Sequence, residues 1–193
     1  MKGIVSCMML SMSVCFAGCG TSYVANRYVS YESVQDVLTE YEGMKIGVAE
    51  FTSDQSGSSG DFGEATEYVA ELPCRQAGLV RAPGEMTYPE YIRESLITEL
   101  QMAGLYDPES IIQLSGYLER IRFSSTSGRW EITLRLSCGG RSTLGVVSSF
   151  EYVAGRSAQT ACVNTANALM PAVQEMWLEL VLNERFGGLI RQE

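Results

Sequence analysis

Residues 130–138 alternate without a break, with Trp130, Ile132, Leu134, Leu136 and Cys138 on one side and Glu131, Thr133, Arg135 and Ser137 on the other. A period of two belongs to a β-strand with one buried and one wet face. The flanks supply its partners. Residues 111–123 read as a long strand that the run 124–128 turns back, and Gly139-Gly140-Arg141-Ser142 turns the chain again into Leu144, Val146, Phe150 and Tyr152. Three strands joined by short turns make an antiparallel meander. One of its faces is apolar, and a fold built on it must cover that face.

Two amphipathic stripes can do so. Thr87-Tyr88-Pro89-Glu90 is a capping box with proline in the first turn, and Ile92, Leu96, Leu100 and Ala103 follow at helical spacing up to Gly104. This predicts a helix over 88–103 whose polar positions carry Glu90, Glu94 and Glu99 against one Arg93, which excludes a membrane-surface helix. Cys162, Ala166, Leu169, Val173, Trp177 and Leu180 form the second stripe, from about 158 to 184. Pro171 interrupts it, so it is either a kinked helix or two helices with Pro171 in a first turn.

Upstream, residues 46–51 are nearly apolar on both faces, as expected of an interior strand at the centre of a sheet. Residues 52–63 read as a polar loop. Asp54 and Asp61 fail as calcium ligands, because Ser59 stands where the turn glycine belongs and Ala65 where the bidentate glutamate belongs. No Gly-Lys-Ser/Thr follows to make a phosphate cradle. Short strands are expected at 68–72 and 78–81, around Pro73-Cys74. Ser33-Val34-Gln35-Asp36 fits a capping box for a helix at 34–42, stopped by Gly43. Residues 20–31 are polar with scattered Tyr23, Tyr28 and Tyr31 and read as a tether; a glycan- or partner-stacking surface is the alternative use of these tyrosines. The expected body is α/β (α+β): a mixed, largely antiparallel sheet with a three-strand meander packed against two main helices.

The first residues carry a different signal. Met1-Lys2, an apolar run over 4–16 and a small-residue site make a secretory leader too short to span a bilayer. Phe16-Ala17-Gly18-Cys19 resembles the lipobox of bacterial lipoproteins, with Phe16 in place of the usual Leu. The resemblance implies cleavage before Cys19, a diacylglycerol on its thiol and an acyl chain on its new amine. Gly20 stands where lipoproteins retained in the inner membrane carry Asp, which implies the outer membrane, facing the periplasm, with surface exposure left open. The expected division is 1–18 signal peptide, 19–43 lipid-anchored tether with a short helix, and 44–193 a single periplasmic domain. At about 0.8 kcal/mol per buried methylene, two or more chains on Cys19 anchor stably.

Fourteen Lys and Arg against 23 Asp and Glu give a net charge of −9, and loss of Lys2 with the leader makes the remainder more negative. Nucleic acid and anionic lipid surfaces are thereby excluded as partners, leaving the membrane to be reached through the acyl chains. There is no histidine, so Ser-His-Asp and Cys-His catalysis are excluded. A Ser-Lys dyad would rest on Lys45, inside a strand. The carboxylate pairs Asp107 with Glu109 and Asp54 with Asp61 lie on loops, where acids face water. No catalytic residue and no cofactor are expected. No metal site is expected either, since three cysteines without histidine lack a Cys-x-x-Cys pair.

Those cysteines are Cys74, Cys138 and Cys162, because Cys7 and Cys15 leave with the leader and Cys19 is acylated. Cys138 ends its strand beside Gly139-Gly140. The chain then runs back through about ten residues, roughly 33 Å, before the last helix starts, which puts Cys162 near the opposite end of the sheet and out of disulfide reach. Cys74 leads by a short connection into the helix at 88, which begins at that same end. The expected bond is Cys74–Cys162, with Cys138 a buried thiol.

A further likeness covers residues 44–186. The strand Ile46-Gly47-Val48-Ala49-Glu50-Phe51, the helix from Tyr91-Ile92-Arg93 through Glu99-Leu100 to Ala103-Gly104-Leu105-Tyr106, a meander with Gly116-Tyr117-Leu118 and Trp130-Glu131-Ile132, and a closing helix resemble a loose superfamily. It includes small envelope lipoproteins, penicillin-binding-protein activator lipoproteins, the curli-secretion lipoprotein and the amino-terminal domain of the Tol-Pal translocation protein. The resemblance implies an α/β sandwich used for protein contacts. The expected function is that of a lipid-anchored, non-catalytic interaction or assembly module with an envelope protein partner. The alternative is a lipid- or small-molecule-binding auxiliary of an envelope transport system, which would need a cavity lined by Met170, Met176, Trp177 and Phe150.

Overall fold

The computed structural model describes residues 21–53, 70–140 and 142–191. In chain order its elements are β1 (Ser22–Val24), α1 (Glu32–Leu38), β2 (Gly47–Ser53), β3 (Glu71–Cys74), β4 (Gly78–Arg81), α2 (Tyr88–Met102), β5 (Gln113–Ser124), β6 (Arg129–Cys138), β7 (Ser142–Glu151), α3 (Ala158–Val181) and α4 (Arg185–Arg191). The fold is mixed α/β, with a four-stranded sheet in the order β2-β5-β6-β7 and a three-stranded sheet in the order β1-β4-β3.

The meander forms as the alternation requires. Trp130, Ile132, Leu134, Leu136 and Cys138 are buried, paired with β5 from Leu114↔Cys138 to Phe123↔Trp130 and with β7 from Cys138↔Ser142 to Trp130↔Phe150. β5 carries a bulge between Leu118 and Arg120. The extra residue shifts the phase, so that Leu114 and Leu118 before it and Ile121 and Phe123 after it all reach the core. The strand starts two residues later than the sequence suggests, leaving Ile111 94% exposed.

β2 pairs in parallel with β5 and stands at the end of the sheet, not at its centre. Its apolar character has another cause. The guanidinium of Arg93, on α2, donates to the carbonyls of Val48 (3.1 Å) and Ala49 (2.9 Å), and Phe51 lies over Gly116, where a Cβ would come within 2.4 Å of the ring. A helix, not a second strand, covers this segment.

α2 begins with the capping box: Thr87 Oγ1 accepts from Glu90 N, and Thr87 N donates to the Glu90 carboxylate at 2.7 Å. It ends before Gly104, whose φ of +70° is the left-handed conformation that terminates helices. α3 runs unbroken through Pro171 from an N-cap at Ser157, so neither a break nor a second helix arises there; the separate helix is α4. Both main helices lie on the apolar sheet face. Trp130 and Trp177 are fully buried, and Trp130 Nε1 donates to Thr165 O (2.9 Å) while Trp177 Nε1 donates to Ser95 Oγ (2.7 Å).

The amino-terminal segment departs from the expected tether. β1 pairs in parallel with β4, from Ser22↔Leu79 to Val24↔Arg81, and Tyr23 and Ala25 are buried. The helix after it spans Glu32–Leu38, followed by a 3-10 turn at Thr39–Tyr41, and its N-cap is Tyr31 with no side-chain cap, not Ser33. The predicted loop 52–63 reaches outside the described residues from Asp54 onward.

We predict that Trp130→Ala costs about 3–5 kcal/mol in denaturant unfolding, against about 0.5 kcal/mol for Thr133→Ala on the other face. Equal losses would mean that the strand's two faces are assigned wrongly.

Candidate functional site

Glu99 lies in the middle of the buried face of α2 and is 1% exposed. The sequence grouped it with the solvated acids, and the structure corrects this. Its carboxylate accepts from Tyr28 Oη (2.5 Å), Tyr31 N (2.9 Å) and Gln35 Nε2, and Gln35 Nε2 also donates to the Glu99 carbonyl at 3.0 Å. These donors are what allow a carboxylate to be buried there. Around this knot, Tyr91 Oη donates to Asn26 O (3.0 Å), Gln174 Nε2 donates to Val29 O (2.8 Å), and Ala25 N donates to Arg81 O (2.9 Å). Residues 21–31 are thus a strap fastened along the body. Tyr28 serves this fastening through its hydroxyl and Tyr31 through its backbone N–H, while Tyr28 and Tyr91 also line a groove of about 410 Å³ with Arg27, Met86 and Glu94.

The strap also sets the titration of its phenols. Burial pushes Tyr28 well above the usual tyrosine value, with the hydrogen bond and charge of Glu99 adding to it. Burial likewise raises Tyr88, with a contribution from Glu71, and raises Tyr91.

Cys74 and Cys162 form a disulfide across the start of α3, with Cα atoms 5.9 Å apart, and Cys138 is a buried thiol at the other end of the sheet. Cys19, Asp54 and Asp61 lie outside the described residues. Asp107 and Glu109 are used in their own turn, Asp107 Oδ1 accepting from Glu109 N at 3.0 Å. The Lys45 ammonium donates to Gly104 O (2.9 Å) at the end of α2. Met176 and Trp177 are core, whereas Phe150 opens onto a surface groove that Met170, Met176 and Trp177 do not line. The residues named for a ligand cavity are therefore not brought together around one.

Two further surfaces among the described residues belong to the four-stranded sheet. The polar face of the sheet carries the ion pairs Arg122–Glu131, Arg129–Glu131 (3.4 Å) and Arg135–Glu119, each partly solvated and worth little individually. The other is the outer edge of β7. Beside it runs the groove of about 430 Å³, between the strand end Phe150–Tyr152 and the face of α3 bearing Asn164, Ala168 and Pro171. Farther along the same helix face Glu179 lies beside Ser148 of β7. Partial burial raises its carboxyl, the Ser148 hydroxyl opposes the rise, and the charge of Glu175 adds to it. This groove had no signal in the sequence, because it arises from how α3 lies along the last strand.

Two outcomes check the strap. Glu99→Ala, which leaves the Tyr31 N–H and the Tyr28 hydroxyl without their acceptor, should cost about 2–4 kcal/mol and speed hydrogen exchange over 22–35, while Glu99→Gln should cost less. Unchanged exchange in Glu99→Ala would refute the fastening. Because the folded-state values of Tyr28, Tyr88 and Tyr91 are raised, the stability they contribute is complete below the unfolded value near 10 and is lost as pH rises beyond it. In an alkaline titration followed at the phenolate absorbance, these three should ionise only as the chain unfolds; their ionisation near pH 10 in folded protein would contradict their burial.

No family model matches the chain, and neither a curated protein nor a solved structure was found to match it.

Proposed function

We propose that this chain is a lipid-anchored lipoprotein of the outer membrane that acts as a non-catalytic interaction or assembly module. The observation that carries the reading is the strap. Thr21 O accepts from Leu79 N at 2.9 Å, so the chain is fastened to the body two residues after Cys19. Two residues reach at most about 7 Å. An acylated Cys19 would hold the body directly at the bilayer and in a restricted orientation, which suits display of a fixed surface to a neighbouring protein. The Cys74–Cys162 bond supports residence in an oxidising compartment. Of the side chains weighed for chemistry, the Lys45 ammonium donates to the Gly104 carbonyl and the Asp107 carboxylate accepts from Glu109 N.

Mass spectrometry of the protein from native membranes should find residues 1–18 absent and a diacylglycerol on Cys19, with Cys19→Ala retaining the leader. An unmodified Cys19 would end the anchored reading. A photo-crosslinking residue placed in turn at 111, 135 and 147 in intact envelopes should give a discrete adduct with another protein from at least one position, and none from any would end the interaction reading.

A further inference from the structure

We propose that β7 takes up an extended segment of another protein as a fifth, antiparallel strand, read by the adjoining groove as an aromatic residue followed two positions later by lysine or arginine. The inference rests on the interaction-module reading and names its surface and partner chemistry.

β7 ends the sheet order, and residues 142–150 carry no charge and no proline. Edge strands are commonly guarded by such residues, because an unguarded edge is a template for another strand. The direction of the backbone groups follows from two hydrogen bonds. Tyr152 N donates to Gly128 O, on the side of β6, whereas Thr143 O is turned outward to Arg185 Nη2 at 3.3 Å. Alternation then sets the N–H and C=O groups of Gly145, Val147 and Ser149 along the outer edge. A Cβ on Gly145 would meet nothing closer than 4.0 Å, and Val147 is 78% exposed.

Side chains of an added strand alternate as well. Those opposite Phe150 and Ser148 fall on the helix side of the sheet. The first enters the groove beside Phe150, Tyr152, Ala168 and Pro171, and the second, two residues later in an antiparallel strand, comes to Glu175 and Glu179. An aromatic residue suits the first position and a cation the second. Charge also argues against a second copy of this chain as occupant, since its own β7 has no basic residue to meet the two acids.

The test uses the full-length chain purified in detergent and short fluorescent peptides of valine and threonine. One contains phenylalanine followed two positions later by arginine, and a second has glutamate in place of the arginine. The arginine peptide should bind at least about tenfold tighter than the glutamate peptide, a difference of ~1.4 kcal/mol. Changing Glu175→Lys and Glu179→Lys together should reverse the preference. N-methylation of the arginine peptide at alternate residues should abolish binding in one register and spare it in the other, which reports strand pairing without any change to the protein. No saturable binding at millimolar peptide, equal binding of both N-methyl series, or self-crosslinking of Val147→Cys in preference to Ile111→Cys would overturn the proposal. An envelope crosslink from 135 or 111 alone, with no peptide binding, would overturn it and leave the interaction module standing.

Discussion

A sheet that is apolar on one side must be covered on that side, and the other elements of this fold are placed by that requirement. The face formed by β5, β6 and β7 is covered by α2 and α3, and two indoles fix how they lie. Trp130 reaches from the sheet to the Thr165 carbonyl of α3, and Trp177 reaches from α3 to the Ser95 hydroxyl of α2. A buried indole N–H without an acceptor is costly, so each ring is held both by its packing and by one direction of hydrogen bonding. The Cys74–Cys162 bond then joins the small sheet to the first turns of α3. In the chain-entropy view, closing a loop of this length stabilises by about 4–5 kcal/mol.

What was legible in the sequence was whatever repeats locally. The period of two in β6 and the capping box of α2 each placed an element to within a residue or two. The pairing of Cys74 with Cys162 followed from strand direction and from the short connection between Cys74 and α2, and in the structure Trp130, Thr165 and Cys162 share one end of the sheet and Cys138 the other. β2 was assigned to the sheet centre because burial on both faces looks the same in sequence whether a strand or a helix supplies the cover. Here β2 is covered on one side only, with Glu50 and Thr52 exposed: Arg93 of α2 reaches Ala49, and Phe51 packs over Gly116 of β5, through contacts 44 and 65 residues apart in the chain that no local pattern reveals.

The strap was illegible for a different reason. Residues 21–31 are polar, and polar composition between a leader and a domain reads as linker. Their attachment depends on hydrogen bonds to Glu99, which in a sequence is one more acid on an amphipathic helix. The available clue is positional: Glu99 follows Ile92 and Leu96 on the stripe and precedes Leu100, so it falls on the core side. A carboxylate at such a position needs donors, and the nearby polar segment rich in tyrosine is where they come from. The groove had no comparable clue, since Phe150 and Pro171 each have ordinary explanations in their own elements.

The ends of these elements also constrain how an anchored molecule would meet a partner. Thr21 lies at Gly78, beside the β3–β4 turn, whose Arg75 donates to Ser125 in the turn before β6. The start of α3 and the last residues of β7 are at the same end, joined through Thr165 to Tyr152 (2.6 Å). If Cys19 carries the proposed acyl chains, that end would face the bilayer, and Asp107, Glu109 and α4 would lie at the far end. The aromatic position of the proposed added strand, opposite Phe150, would then be the one nearer the membrane, and the basic position, opposite Ser148, the one farther out. A segment running in that direction would emerge from the membrane surface and proceed outward. The geometry therefore suits a partner that is itself membrane-bound just before the segment it contributes, rather than one arriving free from solution.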